Sequence, residues 1–209
     1  LRLLIRKVRL MNAPSPALDA PIFDPKAFRL TDAQSEIITR ARQLGESVFA
    51  ARAASYDRDA RFPVENYRDL HRAGLLGISI PTQHGGLGAG YQTYALAAAE
   101  IGRYCGATAL TWNMHVCSTL WSGPLADDLE MDEATRAAHE RRRAVHYRRI
   151  VEDGAIYSQP FSEGGAAAAG GVAFGTEARP VAGGWIVSGK KIFASLSGHA
   201  DYYGVLCTE

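Results

Sequence analysis

The residue types in this sequence that could act together chemically lie in two short runs. One is Tyr157-Ser158-Gln159-Pro160-Phe161-Ser162-Glu163-Gly164-Gly165 and the other is Gly189-Lys190-Lys191-Ile192-Phe193-Ala194-Ser195-Leu196. Short hydroxyls and an aromatic ring suit a flat aromatic ligand that has one apolar end and one end rich in donors and acceptors. Glycines such as Gly164 and Gly165 let a backbone come close to a phosphate. The same residues also suit an ordinary strand, with Phe193 in a core and Ser195 as a satisfied hydroxyl. The two runs by themselves leave both readings open.

The elements that must position these residues are legible from periodicity. Apolar and polar residues alternate through Val172, Phe174, Thr176 and Ala178 and again over residues 185–188, with Gly183-Gly184 between them, which predicts a β-hairpin. Upstream, Thr31-Asp32-Ala33-Gln34 has capping-box spacing ahead of Ile37, Ala41, Leu44 and Val48, so an amphipathic helix starts there. Pro63 opens a second helix with the stripe Val64, Tyr67 and Leu70, and Gly74 is placed to end it. An alanine-rich helix is expected over residues 91–104. Residues 107–121 carry Trp112, Met114, Val116, Leu120 and Trp121 and read as a helix buried all round. His115 sits inside it with no carboxylate or cysteine spaced to orient it, which favours a hydrogen-bonded core histidine over a catalytic base. Asp132 can cap a helix over residues 133–149 that carries Arg136, Arg141, Arg142, Arg143, Arg148 and Arg149, read as a solvated face.

Composition sets further bounds. With 209 residues, 47% of them hydrophobic and 22% charged, the chain can bury a real core. A formal net charge of +1 gives no overall field for nucleic acid or an anionic membrane. No apolar run reaches the length of a membrane span. Cys105, Cys117 and Cys207 show no metal-ligand spacing and, being odd in number, no disulfide framework; they point to a reducing, cytoplasmic setting. Cys207 is expected in a strand and Cys117 in an apolar helix, both as small hydrophobes. Residues 1–10 hold Arg2, Arg6, Lys7 and Arg9 and no acid, and Met11 is a natural start. They are expected to be a dispensable extension, with a basic targeting segment as the alternative. The prolines between residues 12 and 26 predict a loose arm.

The order of parts resembles the acyl-CoA dehydrogenase family of flavoenzymes. Gly74-Leu75-Leu76-Gly77-Ile78-Ser79-Ile80-Pro81 followed by Gly85-Gly86-Leu87-Gly88 is similar to a recurring pattern of that family's helical N-terminal domain. The two chemical runs are similar to segments of its central β domain. The resemblance implies an α+β fold: an all-α N-terminal helical domain over residues 30–152 after an arm at 1–29, then a partial antiparallel β domain, barrel- or sandwich-like, over 153–209. The C-terminal helical bundle of the family is absent from this expectation.

The resemblance implies FAD, or alternatively FMN, as cofactor. Phe193 falls where the family has the aromatic lying against the flavin ring, Ser195 where it has the hydroxyl beside N5, and Ser158, next to Tyr157, where a hydroxyl lies near the pyrimidine edge. Where the family has Gly-Ser-Asp this chain has Glu163-Gly164-Gly165, so a pyrophosphate contact would pass to Ser162 or to the glycine N–H groups. Hydroxyls and N–H groups aimed at the ring would stabilise the negative charge it gains with a hydride. The reaction implied is α,β-dehydrogenation of an acyl-CoA thioester, as in fatty acid metabolism, with a flavoprotein electron-transfer partner or a reductase, in a homo-oligomer. The alternatives are a two-component monooxygenase of the same fold and a non-catalytic helical interaction module. The family's proton-abstracting glutamate lies in a domain after the β domain. No catalytic residue is therefore expected here, Glu100, Glu152 and Glu163 included, and no turnover by these residues alone.

Overall fold

The computed structural model describes residues 25–164 and 172–209. The basic residues 1–10, Met11, the arm up to residue 24 and Gly165 lie outside the described residues. Helix α1 (Asp32–Leu44) begins at the expected box: the Thr31 hydroxyl accepts from the Gln34 N–H at 3.3 Å, and Gln34 Oε1 accepts from the Thr31 N–H at 2.9 Å. It buries Ile37, Ile38 and Ala41 and packs chiefly on α4 (Tyr91–Gly102). A π-helical stretch, Gly45–Phe49, joins it without a break to α2 (Ala50–Arg58). Helix α3 (Val64–Arg72) follows Pro63 at its N-cap, and Gly74 leaves it in the left-handed conformation at φ 73°. The guanidinium of Arg52 ties α2 to α3 by donating to Asn66 at 3.0 Å and Asp69 at 2.6 Å. Between α3 and α4 the glycine-rich run forms two 3-10 turns, Leu75–Gly77 and Thr82–His84.

Helix α5 (Gly106–Ser122) is the spine of the helical part. Trp112 is fully buried, and its indole N–H donates to the Leu75 carbonyl at 3.2 Å. The expectation of burial all round is corrected here, because Leu110 is 65% and Trp121 43% exposed. Helix α5 is covered by α4, α6 (Pro124–Asp127), the 75–77 turn and the strand β1 described below, and Leu110 stands outside this cover. After α6 (Pro124–Asp127), Asp132 caps α7 (Glu133–Val151) by accepting from the Thr135 N–H at 2.7 Å. Of the α7 arginines read as a solvated face, three turn inward, Arg149 among them with its guanidinium 4.4 Å over the Tyr202 ring. Arg136 donates to the carbonyl of Leu129 at 2.7 Å, and Arg143 pairs with Asp127 and Glu140, each at 2.6 Å. Arg141, Arg142 and Arg148 stay exposed.

Among the described residues the β part holds two small sheets. Strands β2 (Glu177–Val181) and β3 (Gly184–Ser188) form the expected antiparallel hairpin, with Val181 paired to Gly184. Val172 and Phe174 precede it outside any strand. Strands β1 (Tyr157–Ser158) and β4 (Tyr202–Tyr203) run parallel, in the register Tyr157 to Tyr202 and Ser158 to Tyr203. The strand expected to contain Cys207 is reduced to β4 and an isolated bridge between Thr208 and Glu177, which leaves Cys207 half-buried in loop. Among the described residues no helix is long and apolar enough to cross a membrane.

The close contact of Gly45 with Tyr104 yields a testable outcome. A Cβ at Gly45 would stand 2.5 Å from Tyr104 Cδ2. In an open helix Gly45→Ala would gain about 1 kcal/mol of propensity. Here overpacking outweighs it, and the variant should lose about 1–2 kcal/mol net, read as a lower urea midpoint at unchanged slope. An equal or higher midpoint would contradict the packing.

Candidate functional site

The two chemical runs are anchored to the helical part through His115. Its ring is completely buried: Nδ1 accepts from the backbone N–H of Tyr157 at 3.0 Å, and Nε2 lies 3.2 Å from the carbonyl of Leu76. A backbone N–H can only donate, so Nδ1 carries the lone pair and Nε2 the proton, which it donates to Leu76. Burial pushes the pKa of this imidazole down to about 4, against the smaller opposing effect of the Leu76 carbonyl. His115 is thus the neutral, hydrogen-bonded core histidine expected, and in addition a crosslink between α5, the 75–77 turn and β1.

From that anchor β1 places its side chains. The Tyr157 ring stacks on Tyr202 at 4.9 Å and receives the edge of His146 at 4.2 Å. The Arg149 guanidinium lies over the other member of the pair, Tyr202, at 4.4 Å. Asp201 accepts the N–H of Ile156 at 2.8 Å, which fixes β4 beside β1. Ser158 is fully buried, and its hydroxyl donates to the carbonyl of Ser195 at 2.6 Å. The carbonyl of Ser162 accepts from the Ile192 N–H at 2.8 Å. Gly164 is left-handed at φ 75°, and a Cβ there would lie 3.4 Å from Ile192. Tyr157, Ser158, Ser162 and Gly164 on one run are therefore brought alongside Phe193 and Ser195 on the other.

The turn that carries the second pair is unusual. Phe193 adopts φ 53° and Leu196 φ 73°, and the Ser195 N–H donates to the Phe193 carbonyl at 2.8 Å. Leu196 points into the core, whereas Phe193 is 85% exposed and lies in no strand. The reading of this run as a strand with Phe193 in the core is thereby excluded. His199, at the end of the turn, stacks on Phe62 from the helical part at 4.3 Å.

Sequence reasoning missed the pair that clamps this region. Lys191 Nζ lies 2.5 Å from Glu163 Oε1, and both side chains are only 9% exposed. Glu163 also accepts from the N–H groups of Gly175 at 2.6 Å and Thr176 at 2.9 Å, and Lys191 sits 4.3 Å over the Phe174 ring. Hydrogen bonds from Lys191 and Thr176 bring the pKa of the carboxyl to about 2. A row of edge-to-face rings, Trp121 to Phe161 at 5.7 Å and Phe161 to Phe174 at 5.5 Å, links the end of α5 to the clamp. No spacing rule connects residues 28 apart in opposite runs. Of the other carboxylates considered, Glu100 is buried against Arg103 at 3.0 Å and Glu152 is exposed at the end of α7.

His115 makes stability depend on pH. Between about 6.5 and about 4 the unfolded chain takes up a proton that the folded chain refuses, so stability is complete above the upper value and falls as pH drops toward the lower. The loss from this one group amounts to about 3 kcal/mol. A His115→Gln variant, which cannot titrate, should show a shallower decline in denaturant-derived stability across that window. Parallel profiles would contradict the assignment.

With this geometry in hand, likeness to known proteins is informative. A family profile described as Acyl-CoA dehydrogenase, N-terminal domain, matches residues 31–125. The probable acyl-CoA dehydrogenase YngJ of Bacillus subtilis is 26% identical over 175 residues, covering 83% of this chain and 42% of that protein. The crystal structure of nitrososynthase from Micromonospora carbonacea var. africana is similar at TM-score 0.67 and 27% identity, over 90% of this chain and 43% of that one. Butyryl-CoA dehydrogenase from Megasphaera elsdenii is similar at TM-score 0.66 and 24% identity, over 84% and 44% respectively. The chain spans less than half the length of these relatives.

Proposed function

We propose that this chain is a member of the acyl-CoA dehydrogenase family, whose N-terminal domain profile matches residues 31–125, that its paired runs at 157–164 and 191–196 hold a flavin, and that the protein takes part in α,β-dehydrogenation of an acyl-CoA thioester. The observation that carries this is Phe193. A large apolar ring 85% in solvent, on a non-glycine residue with positive φ, forgoes burial and retains backbone strain at once. A flat apolar plate laid on that ring recovers the burial.

The surrounding residues fit a flavin. Ser195 follows Phe193 in the same tight turn, and the Ser158 hydroxyl holds the Ser195 carbonyl so that the turn cannot swing away from β1. Ser162 and Gly164 stand where a phosphate would approach, with the Glu163 charge drawn off toward Lys191. FAD is the form the family resemblance implies, with FMN as the alternative. A bound flavin would supply the acceptor for a hydride. Glu163 and Glu100 are both held by cations, so neither is free to take the α proton, and Glu152 is exposed at the C-cap of α7. An electron-transfer flavoprotein or a reductase would be the redox partner, and a homo-oligomer the assembly.

A second reading is oxygenation with reduced flavin, as in two-component monooxygenases. It is supported by a likeness in fold to a dibenzothiophene monooxygenase from Paenibacillus, alongside that to the dehydrogenase structure. Bleaching of flavin by an acyl-CoA under anaerobic conditions supports the first reading; product formed only with dioxygen and supplied reduced flavin supports the second.

The site itself is tested by fluorescence titration with FAD and FMN. Ser195→Ala should weaken flavin binding by roughly 2- to 10-fold, the worth of one hydrogen bond of about 0.5–1.5 kcal/mol. Phe193→Ala should weaken it by about 100-fold, since losing a ring packed on the cofactor costs about 3 kcal/mol. Equal affinities in the original protein and both variants would refute the assignment.

A further inference from the structure

The groups that hold Glu163 make up the donor set of an anion site. Two consecutive backbone N–H groups converge on its carboxylate: Gly175 donates to Oε2 at 2.6 Å and Thr176 to Oε1 at 2.9 Å, while Lys191 Nζ reaches Oε1 at 2.5 Å. Adjacent N–H groups with an ammonium beside them form the kind of concavity that receives phosphate oxygens. The Thr176 hydroxyl is buried and has no partner at hydrogen-bond geometry among the described residues, which leaves a donor there beyond those the carboxylate engages. The nest does not depend on Glu163 for its shape. The Thr208 N–H donates to the Thr176 carbonyl at 2.9 Å, the Thr208 hydroxyl donates to the Phe174 carbonyl at 2.8 Å, and a Cβ at Gly189 would stand 2.5 Å from Thr176 Cα. Gly175 and Gly164, on either side of the carboxylate, are exposed, so the nest lies within reach of a ligand.

We propose that residues 175–176 and Lys191 form a phosphate-binding pocket that the chain fills with its own carboxylate, so that Glu163 sets how much a phosphate group contributes to the binding of a flavin. The ligand class is a phosphoryl oxyanion, either the phosphate of the flavin or free phosphate. The part that concerns flavin rests on the flavin assignment made above; the pocket itself does not. A tethered carboxylate binds without the translational cost that a free anion bears, so in the original chain it keeps the pocket. A flavin phosphate near Gly164 then finds the strongest donors already taken. Without the carboxylate, the same donors stand pre-organised for an incoming anion.

Thermal unfolding at constant ionic strength, with inorganic phosphate and pyrophosphate as probes, tests the pocket. The original chain should not respond to millimolar probe. Glu163→Ala should melt lower and be raised saturably by either probe, and Glu163→Ala/Lys191→Met should not respond. Should Glu163→Ala not fold by itself, recovery of its native circular dichroism on adding phosphate gives the same answer. Fluorescence titration with FMN and riboflavin tests the selectivity. The preference for FMN over riboflavin should rise by about 10-fold or more from the original chain to Glu163→Ala, the worth of charge-assisted hydrogen bonds to one phosphate. Free phosphate should weaken FMN binding to that variant and leave riboflavin binding unchanged, which separates the two sources of the anion. Stabilisation of Glu163→Ala by phosphate with no binding of either flavin would uphold the pocket and sink the flavin assignment. No response of Glu163→Ala to the probes, an equal response after Lys191→Met, or an FMN preference unmoved in a chain that binds both flavins would each overturn the proposal.

Discussion

The whole candidate site hangs on one buried imidazole. His115 takes one backbone N–H from the β part and gives its proton to one backbone carbonyl of the helical part, and no charged group shares the work. A neutral hydrogen bond contributes only about 1 kcal/mol net, but leaving either buried backbone group unpaired costs more. The ring also matches two groups that a single water or hydroxyl could not reach together across the gap. It thereby sets where β1 begins relative to α5, and everything downstream of Ile156 inherits that position: the Tyr157 stack, the buried Ser158, and through Ser158 the turn that exposes Phe193.

Two further ties make this position rigid rather than merely allowed. Asp201 closes the parallel pair from the opposite strand, and the stacked His199 and Phe62 pin the far end of the 193–196 turn back onto the helical part. The Glu163–Lys191 clamp does the same for the other side of the run. Both ions are largely removed from water, which is costly for unpaired charges. Glu163 has three donors and Lys191 an aromatic face and a carboxylate, so the pair is satisfied on the protein's own terms. Exposed chemistry on a pinned turn is the arrangement expected of a binding surface built on a rigid scaffold.

What could be read in the sequence was what is local. The Thr31–Gln34 box, the Asp132 cap, the left-handed Gly74 and the hairpin around Gly183 each depend on residues within a few positions of one another, where backbone chemistry leaves a recognisable pattern. The side-by-side placement of the two runs was legible through family resemblance. The rest rests on distant pairs. His115 and Tyr157 are 42 residues apart. The positive φ of Phe193 has no marker, because phenylalanine rarely adopts it. The helix from Gly106 read as buried all round because Trp121 and Leu110 are apolar, whereas apolar residues also stand at surfaces. The arginines of α7 looked alike in sequence, and only the positions of α6 and of Tyr202 on β4 separate those that turn inward.

The π-helical stretch at Gly45–Phe49 sets the phase of the helical part. One residue more than an α-helix needs is accommodated there, which rotates everything after it by about 100° about the axis without bending the helix away. Before the stretch the buried residues are Ile37, Ile38 and Ala41, directed at α4; at its end Phe49 and beyond it Tyr56 are buried, and Arg52 and Tyr56 reach Asn66 on α3. A single continuous rod thus addresses two partners lying in different directions. The evolutionary corollary is an asymmetry in what this rod tolerates. Substitutions along it can be absorbed one at a time, but a one-residue deletion in the stretch would return the helix to ordinary phase and present Phe49 and Tyr56 to solvent together, while the half before it remained seated.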